Sequence, residues 1–316
     1  MNIKKITFFN HWRNGDCFIN REYVKEIINH FKGQGIEFEY AHNNHRSILQ
    51  DLECKQLIID NIPTHVHYNI RLAFDTNTST LYINSWVGCY IGEYFPIGEH
   101  VNFVILHKIW AAIFNAIGIT MTKSFDQYFP VIDYSKFDLN QANDYINRIQ
   151  GKPMVLICNG VQQSGQSNFG DMHGVVDELS SRYPNHEFLV CHPLNIEKPN
   201  VTYTDYLFGA PYGNLVQISY LSQRAYIIVG KNSGPFSYSH LQANINNHDR
   251  TFICFSTSMT SCLLGQGKFF CNSFFSDTID TGLATELISQ FVNYRPSFPV
   301  LKPTFALGEA PGLVKF

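Results

Sequence analysis

Hydrophobic and polar positions along the chain follow two periods in turn. Lys5–Asn10 is rich in β-branched and aromatic residues and predicts a strand. Ile19, Tyr23, Ile27, Ile28 and Phe31 then recur at the spacing of one helix face, which Gly33 and Gly35 end. Residues 36–40 predict the next strand, 46–52 a short helix and 56–60 a third strand. Strands separated by helices imply parallel pairing through crossovers. Residues 69–74 and 80–86 flank a polar turn and predict a hairpin. An apolar helix is predicted over 101–117 and a polar-faced one over 139–149, after which Gly151-Lys152-Pro153 interrupts the pattern. The alternation then restarts. It predicts strands at Met154–Cys158, 187–192, 225–229, 251–256 and 268–272, and helices at Met172–Arg182, 214–224, 236–246 and 283–294. The expected fold is α/β, with two Rossmann-like parallel-sheet domains facing across a cleft, where ligands of such sheets bind. The expected domains are residues 1–151 and 152–294, followed by an extended tail, 295–316.

Composition narrows the class. The chain has 316 residues, 45% hydrophobic and 15% aromatic, enough for a sizeable core and against general disorder. Lys+Arg number 23 against 26 Asp+Glu, so no basic excess exists to neutralise a nucleic-acid backbone. No apolar run reaches the ~18 residues of a membrane span. Lys4-Lys5 precedes only a short apolar stretch, and His11, Arg13, Asn14 and Asp16 follow at once, so no signal peptide is expected and a cytoplasmic protein is. The eight cysteines are scattered, with no CxxC pair, and read as buried reduced thiols.

Three loops have the composition of a site. Arg13-Asn14-Gly15-Asp16 follows the first strand, at the carboxyl edge of a parallel sheet. Gly15 permits a tight turn, and Asp16 is either a helix N-cap or a general base. The loop from Asn159 and Gly160 through Gln162, Ser164, Gly165 and Ser167 offers amides and hydroxyls to a phosphate, and reads equally as a solvated loop. Lys231, Asn232, Ser233 and Gly234 lie between a very apolar strand and a helix that Pro235 begins. Free N–H groups there would favour an anion, although a plain Ser/Gly cap has the same sequence.

Other sites are missing or weak. No GxGxxG opens a helix, and neither a P-loop nor a GxSxG elbow is present. No Asp-x-Asp occurs, so no metal grip by paired carboxylates is expected. His65-x-His67 and His42-x-x-His45 lack the further ligands of a zinc set. Tyr94-Phe95-Pro96 and Tyr206-Leu207-Phe208, both read as loops, could stack on a base or a sugar, but packing suits them better.

The opening FFNHWRNGDCFINREYVKEII resembles the Gly-Asp start of the heptosyltransferase-like glycosyltransferases of GT-B architecture. AYIIVGKNSGPFSYSHL resembles their later strand–G-x-(D/N)-(S/T)-G–helix–His-Leu segment, and MVLICNG stands where their phosphate loop begins. The resemblance covers roughly residues 3–30 and 153–256. It implies metal-independent, inverting transfer of a sugar from a nucleotide diphosphate to a glycan or other hydroxyl, with no further cofactor. It assigns the base to Asp16, the phosphates to Ser164–Ser167 and Asn232–Gly234, and supporting places to Arg13, Asn14, Gly15 and His240. The chain departs from the family at the 159–171 loop, which has neither Lys nor Arg, and at Asn232, where Asp is usual. Arg13 or Lys231 would then supply a cation. A polysaccharide pyruvyltransferase, a nucleotide-sugar epimerase or a non-catalytic sugar-nucleotide binder on the same scaffold remain as alternatives.

Overall fold

In the computed structural model, two β-sheets organise two compact units, Met1–Lys136 and Phe137–Phe316. The structure describes residues 2–43, 46–63, 66, 70–90, 92–93, 101–160, 167–209, 214–231, 233–259, 262–265 and 269–293.

The first unit is built on β1 (Lys5–Asn10), β2 (Glu37–His42), β3 (Lys55–Leu57), β4 (Leu72–Asp75) and β5 (Thr80–Asn84), in the order β3-β2-β1-β5-β4. β1 is the central strand and runs parallel to β2 and β5, while β4 returns antiparallel along β5 as the expected hairpin. Ile6, Phe8 and Phe9 are fully buried, as a strand covered on both faces requires. Helices α1 (Asn14–Ile19) and α2 (Arg21–Phe31) carry the chain from β1 to β2, and α3 (Phe103–Ala116) follows the hairpin. The helix expected at 46–52 is a single 3-10 turn, Arg46–Leu49, and the third strand is shorter than expected.

α2 buries polar groups as well as its apolar stripe. Arg21 and Asp51 form an ion pair with both side chains fully buried, and Asp51 also accepts the backbone N–H of Asp133 at 3.1 Å. Glu22 pairs with Lys25 at 2.8 Å and Lys123 at 3.1 Å, and Glu26 accepts both the N–H and the hydroxyl of Thr122. Tyr23 lies between Trp110 and Tyr128, its ring nearly parallel to both at 5.2 and 4.5 Å. Its hydroxyl meets His107 Nδ1 at 3.2 Å, and burial pushes that imidazole down to about 4, so it is neutral.

The second unit contains β6 (Met154–Cys158), β7 (Glu187–Val190), β8 (Val201–Tyr203), β9 (Ala225–Lys231), β10 (Thr251–Phe255) and β11 (Asn272–Ser276). Their order is β8-β7-β6-β9-β10-β11, with every pairing parallel. Numbered within the unit this is 3-2-1-4-5-6, the dinucleotide-binding order. Helices α4 (Asn140–Arg148), α5 (Met172–Arg182), α6 (Thr204–Phe208), α7 (Leu215–Ser222), α8 (Gly234–Tyr238), α9 (Gln242–Ile245) and α10 (Thr281–Asn293) cover it. Val175, Val176 and Leu179 of α5 and Ala284 and Ile288 of α10 pack with Val155, Ile157, Val229 and Ile253 of the sheet.

Further elements differ from expectation. The division between units lies ahead of α4, because Tyr145 of that helix donates to Glu187 of β7 at 3.1 Å and Tyr220 of α7 donates to Asn143 at 3.0 Å. Gly151-Lys152-Pro153 is the turn from α4 into β6. The helix expected over 236–246 is broken into α8 and α9, where Ser239 Oγ donates to the Pro235 carbonyl and His240 Nδ1 meets the Phe236 carbonyl. Tyr206-Leu207-Phe208, read as a loop, belongs to α6. All eight cysteines are free; Cys54 and Cys89 are partly buried and the others buried.

Removing one partner of a buried ion pair strands the other. Arg21→Met is therefore expected to lower stability by about 3–5 kcal/mol. Arg21→Met with Asp51→Leu should cost less than either single change. Urea unfolding of the four proteins measures this.

Candidate functional site

In an open parallel sheet, ligands bind beyond the carboxyl ends of the strands where the strand order reverses, because the crossovers leave in opposite directions there. The first sheet reverses between β1 and β5, and the second between β6 and β9. Asp16 follows β1. Asn159 and Gly160 follow β6, and Lys231 ends β9 ahead of Ser233.

Asp16 is not the N-cap. Arg13 holds that position in extended backbone, so α1 starts earlier than the cap reading required and Asp16 lies in its first turn. Desolvation pushes the Asp16 carboxyl up to about 7, and the backbone N–H groups of Arg13 and of Asp16 itself pull it part of the way back. The turn is anchored from below. Asn20, fully buried, donates to the Asp16 carbonyl and, at 2.8 Å, to the Ser85 carbonyl, and accepts the Trp110 indole N–H at 2.6 Å. Arg13 is exposed, Asn14 and Gly15 are partly buried, and Asn14 Oδ1, itself buried, has no hydrogen-bond partner among the described residues.

At the second reversal the two loops touch. A Cβ on Gly160 would lie 3.2 Å from the Pro235 ring and 3.3 Å from Ser233 Oγ, so a side chain there would crowd both. Ser233 is 6% exposed, makes no side-chain cap, and its hydroxyl has no partner among the described residues. Lys231 is half-buried, forms no ion pair among the described residues, and burial lowers its pKa. A cation and a hydroxyl without a partner among the described residues, near a glycine backbone, suit an incoming anion.

The other expected positions fall differently. Asn159 is committed to structure: its amide donates to the His192 carbonyl and accepts the His192 N–H, both at 2.8 Å. Ser167 lies toward β10 and β11, at a cavity of about 200 Å³ shared with Phe169, Ser256, Thr257, Asp277 and Thr278. His240 is 1% exposed, stacked on Phe252 at 4.6 Å, and burial pushes it down to about 4, so it belongs to the core. Gln162, Ser164, Gly165 and Asn232 lie outside the described residues, as do His45, His65, His67 and the 94–96 segment. His42 is buried, with Nε2 3.3 Å from Gln56 Oε1. Among the described residues no three His, Cys, Asp or Glu side chains converge as a metal-ligand set.

Sequence reasoning missed a pair at this edge. His192, just beyond β7, has Nδ1 2.9 Å from Asp205 Oδ2, and Asn214 donates to the other Asp205 oxygen at 3.2 Å. The carboxylate orients the ring and leaves Nε2 for another partner. No spacing rule links residues 192 and 205; the adjacency of β7 and β8 brings them together.

No protein-family model and no curated protein matches the sequence. Among solved structures, the chain is similar to a glycosyl transferase of family 9 from Veillonella parvula, at 10% identity over 92% of each chain and a TM-score of 0.53. It is also similar to the E. coli heptosyltransferase WaaC solved with ADP-2-deoxy-2-fluoro heptose, at 8% identity, 92% of this chain, 99% of that chain and a TM-score of 0.49. The UDP-GlcNAc 2-epimerase from Neisseria meningitidis bound to UDP-GlcNAc follows at 12% identity, 92% of each chain and a TM-score of 0.47. The first of these likenesses shows a shared fold.

A carboxyl raised above its unfolded value of 3.8 to about 7 favours folding only while it is protonated. That contribution is whole below about pH 4 and is lost as pH rises to about 7. Asp16→Asn, which is neutral at every pH, should therefore melt at a higher temperature than the parent at pH 8, with the difference closing toward pH 4. Melting curves across that range check this, and a difference independent of pH would contradict the raised carboxyl.

Proposed function

We propose that the chain is a glycosyltransferase that moves a sugar from a nucleotide-diphosphate donor to a hydroxyl of a glycan or similar acceptor, by one inverting displacement that needs no metal. The observation that carries the reading is Asp16, a carboxyl in no ion pair among the described residues, pushed up to about 7 by desolvation at the strand-order reversal of the first sheet. A general base works best when its pKa lies near the operating pH. The order of the second sheet, and the meeting of Gly160 with Ser233 and Pro235, support a nucleotide diphosphate in that unit.

The residues divide the work. The Gly160 backbone, Ser233 hydroxyl and Lys231 ammonium would offset the charge that grows on the leaving diphosphate. His192, oriented by Asp205, would add a donor through Nε2, standing in for the cation that the 159–171 loop lacks. The cavity at Ser167, Ser256, Thr257 and Asp277 suits a hydroxyl-rich part of the donor. Asp16 would accept the acceptor's proton as its oxygen attacks the anomeric carbon. The bond to the diphosphate breaks as the new glycosidic bond forms, and the configuration inverts.

Asp16→Ala should leave the fold intact and lower kcat by roughly 10²–10⁴, the usual contribution of a general base. A folded Asp16→Ala protein with full activity would remove Asp16 from the mechanism. Because only the ionised carboxylate accepts a proton, kcat/KM of the parent should rise with pH through about 7 and then level. His192→Ala and Lys231→Ala should reduce the melting-temperature rise produced by nucleoside diphosphates, since a ligand stabilises by mass action. EDTA should not change the rate; strict dependence on Mn²⁺ would contradict the metal-free mechanism.

A further inference from the structure

A cavity of about 320 Å³ lies at the amino ends of β7 and β8, the edge of the second sheet away from Gly160, Lys231 and Ser233. Its walls are Arg148 and Ile149 from the end of α4, Lys152 from the turn into β6, and Glu187, Pro199 and Thr202. Its size falls at the low end of the ~300–1,000 Å³ typical of small-molecule sites. The turn is tight. Gln150 and Gly151 both adopt left-handed backbone, with φ of 51° and 75°, and the Lys152 N–H donates to the Ile149 carbonyl at 3.0 Å. That bend sets Lys152 on the same cavity as Arg148.

Glu187 is 3% exposed, and its two oxygens are treated differently. Oε1 accepts the Tyr145 hydroxyl at 3.1 Å and the Thr202 hydroxyl at 2.7 Å. Burial and the Glu187 charge push the Tyr145 phenol well above its ordinary range, so it stays a donor and keeps Oε1 occupied. Oε2 has no partner among the described residues and is not sealed from solvent. A buried carboxylate without a counter-charge is costly. Neither neighbouring cation supplies one, since Glu187 is in no ion pair among the described residues. The Arg148 and Lys152 side chains are exposed and make no hydrogen bond or ion pair among them either. Arg148 lies instead over the Tyr145 ring, at 5.3 Å. Three charged groups therefore line one recess, and none is paired with another.

We propose that this cavity binds a monosaccharide phosphate, with the phosphate on Arg148 and Lys152 and a sugar hydroxyl donating to Glu187 Oε2. Two cations against one carboxylate leave a net positive wall, which selects an anion. Arg148 offers a planar fork that matches phosphate oxygens, and Lys152 a point charge. The carboxylate repels a bare oxyanion, so the part of the ligand that reaches Glu187 must be a donor. Thr202 Oγ1, spent as a donor on Glu187, still accepts from a second hydroxyl. A nucleotide would want an aromatic face for its base. The apolar groups of this wall are Ile149 and Pro199, and the nearby Tyr145 ring already carries the Arg148 guanidinium. An amino acid would bring its ammonium into the field of two cations.

This site does not depend on the glycosyl-transfer reading. The test is calorimetric titration of the full chain with a panel of hexose and pentose phosphates, alongside inorganic phosphate, the free sugars and amino acids. At least one sugar phosphate should bind about tenfold or more tightly than inorganic phosphate or its free sugar. Arg148→Ala and Lys152→Ala, both at exposed positions, should each weaken it about tenfold, the worth of one charge-assisted hydrogen bond. Glu187→Gln keeps a carbonyl for Tyr145 and Thr202 but puts an amide donor in place of Oε2. It should weaken the sugar phosphate and leave inorganic phosphate no weaker. Circular dichroism and unliganded melting temperatures show which variants are folded, and the two cation variants carry the test should Glu187→Gln not fold. His192→Ala and Lys231→Ala should leave this binding unchanged, because they lie at the opposite edge of the sheet. The proposal is overturned by loss of binding in those two variants, or by undiminished binding in Arg148→Ala and Lys152→Ala. Inorganic phosphate bound as tightly as any sugar phosphate, preference for an amino acid, or no sugar phosphate bound by the parent would each overturn it as well.

Discussion

Parallel strand pairing is the constraint from which the rest of this molecule follows. Parallel neighbours cannot be joined by a tight turn, so each connection must cross over the sheet. Each unit solves this by starting at a central strand, β1 or β6, building outward on one side, and returning to build on the other. The connections that leave the two innermost strands diverge, and the strand ends between them stay free of a covering helix. Asp16, Trp12 and Trp86 belong to one such place, and Gly160, Lys231 and Ser233 to the other. Neither is an addition to the fold; each is where the winding reverses.

The two places treat polar groups in opposite ways. Around the end of β1, Asn10, Asn20 and Ser85 spend their polar atoms internally. Ser85 Oγ meets Asn10, the Tyr40 hydroxyl at 2.7 Å and the Phe9 carbonyl, and Asn20 uses both ends of its amide. Buried side chains that hold several partners at once are rigid, and that rigidity holds the Asp16 turn in place. Around the end of β9, the Ser233 hydroxyl and the Lys231 ammonium have no hydrogen-bond or ion-pair partner among the described residues. Buried or half-buried polar groups that stay unpaired cost stability. That cost is intelligible where a ligand completes the pairing.

Much of the architecture could be read from residue order. Lys5–Asn10, Met154–Cys158 and Met172–Arg182 were legible to the residue, because a covered strand is continuously apolar and an amphipathic helix repeats its inward side chains. β8 escaped because three residues next to Pro199-Asn200 carry no usable period. β11 lies beyond the apolar 268–272 run, since its position is set by register against β10, with Phe274 opposite Ile253. The break between α8 and α9 depends on side-chain bonds to the Pro235 and Phe236 carbonyls, which an apolar pattern does not encode. The Asp16 turn was legible as a motif, but its near-neutral carboxyl was not, because desolvation depends on what surrounds it. The stacking of Trp12 on Trp86 and the pairing of His192 with Asp205 both arise from which strands are neighbours.

The distribution of two residue types has a practical consequence. All three tryptophans, at 12, 86 and 110, lie within Met1–Lys136, so tryptophan emission originates in the first unit alone. The thiols of the second unit, Cys158, Cys191, Cys254, Cys262 and Cys271, are all buried, and alkylating reagents reach them only when that unit opens. Cys17, Cys54 and Cys89 belong to the first unit, so tryptophan emission and alkylation of those five thiols, followed site by site, form a pair of native reporters, one for each half, with no label to be engineered in.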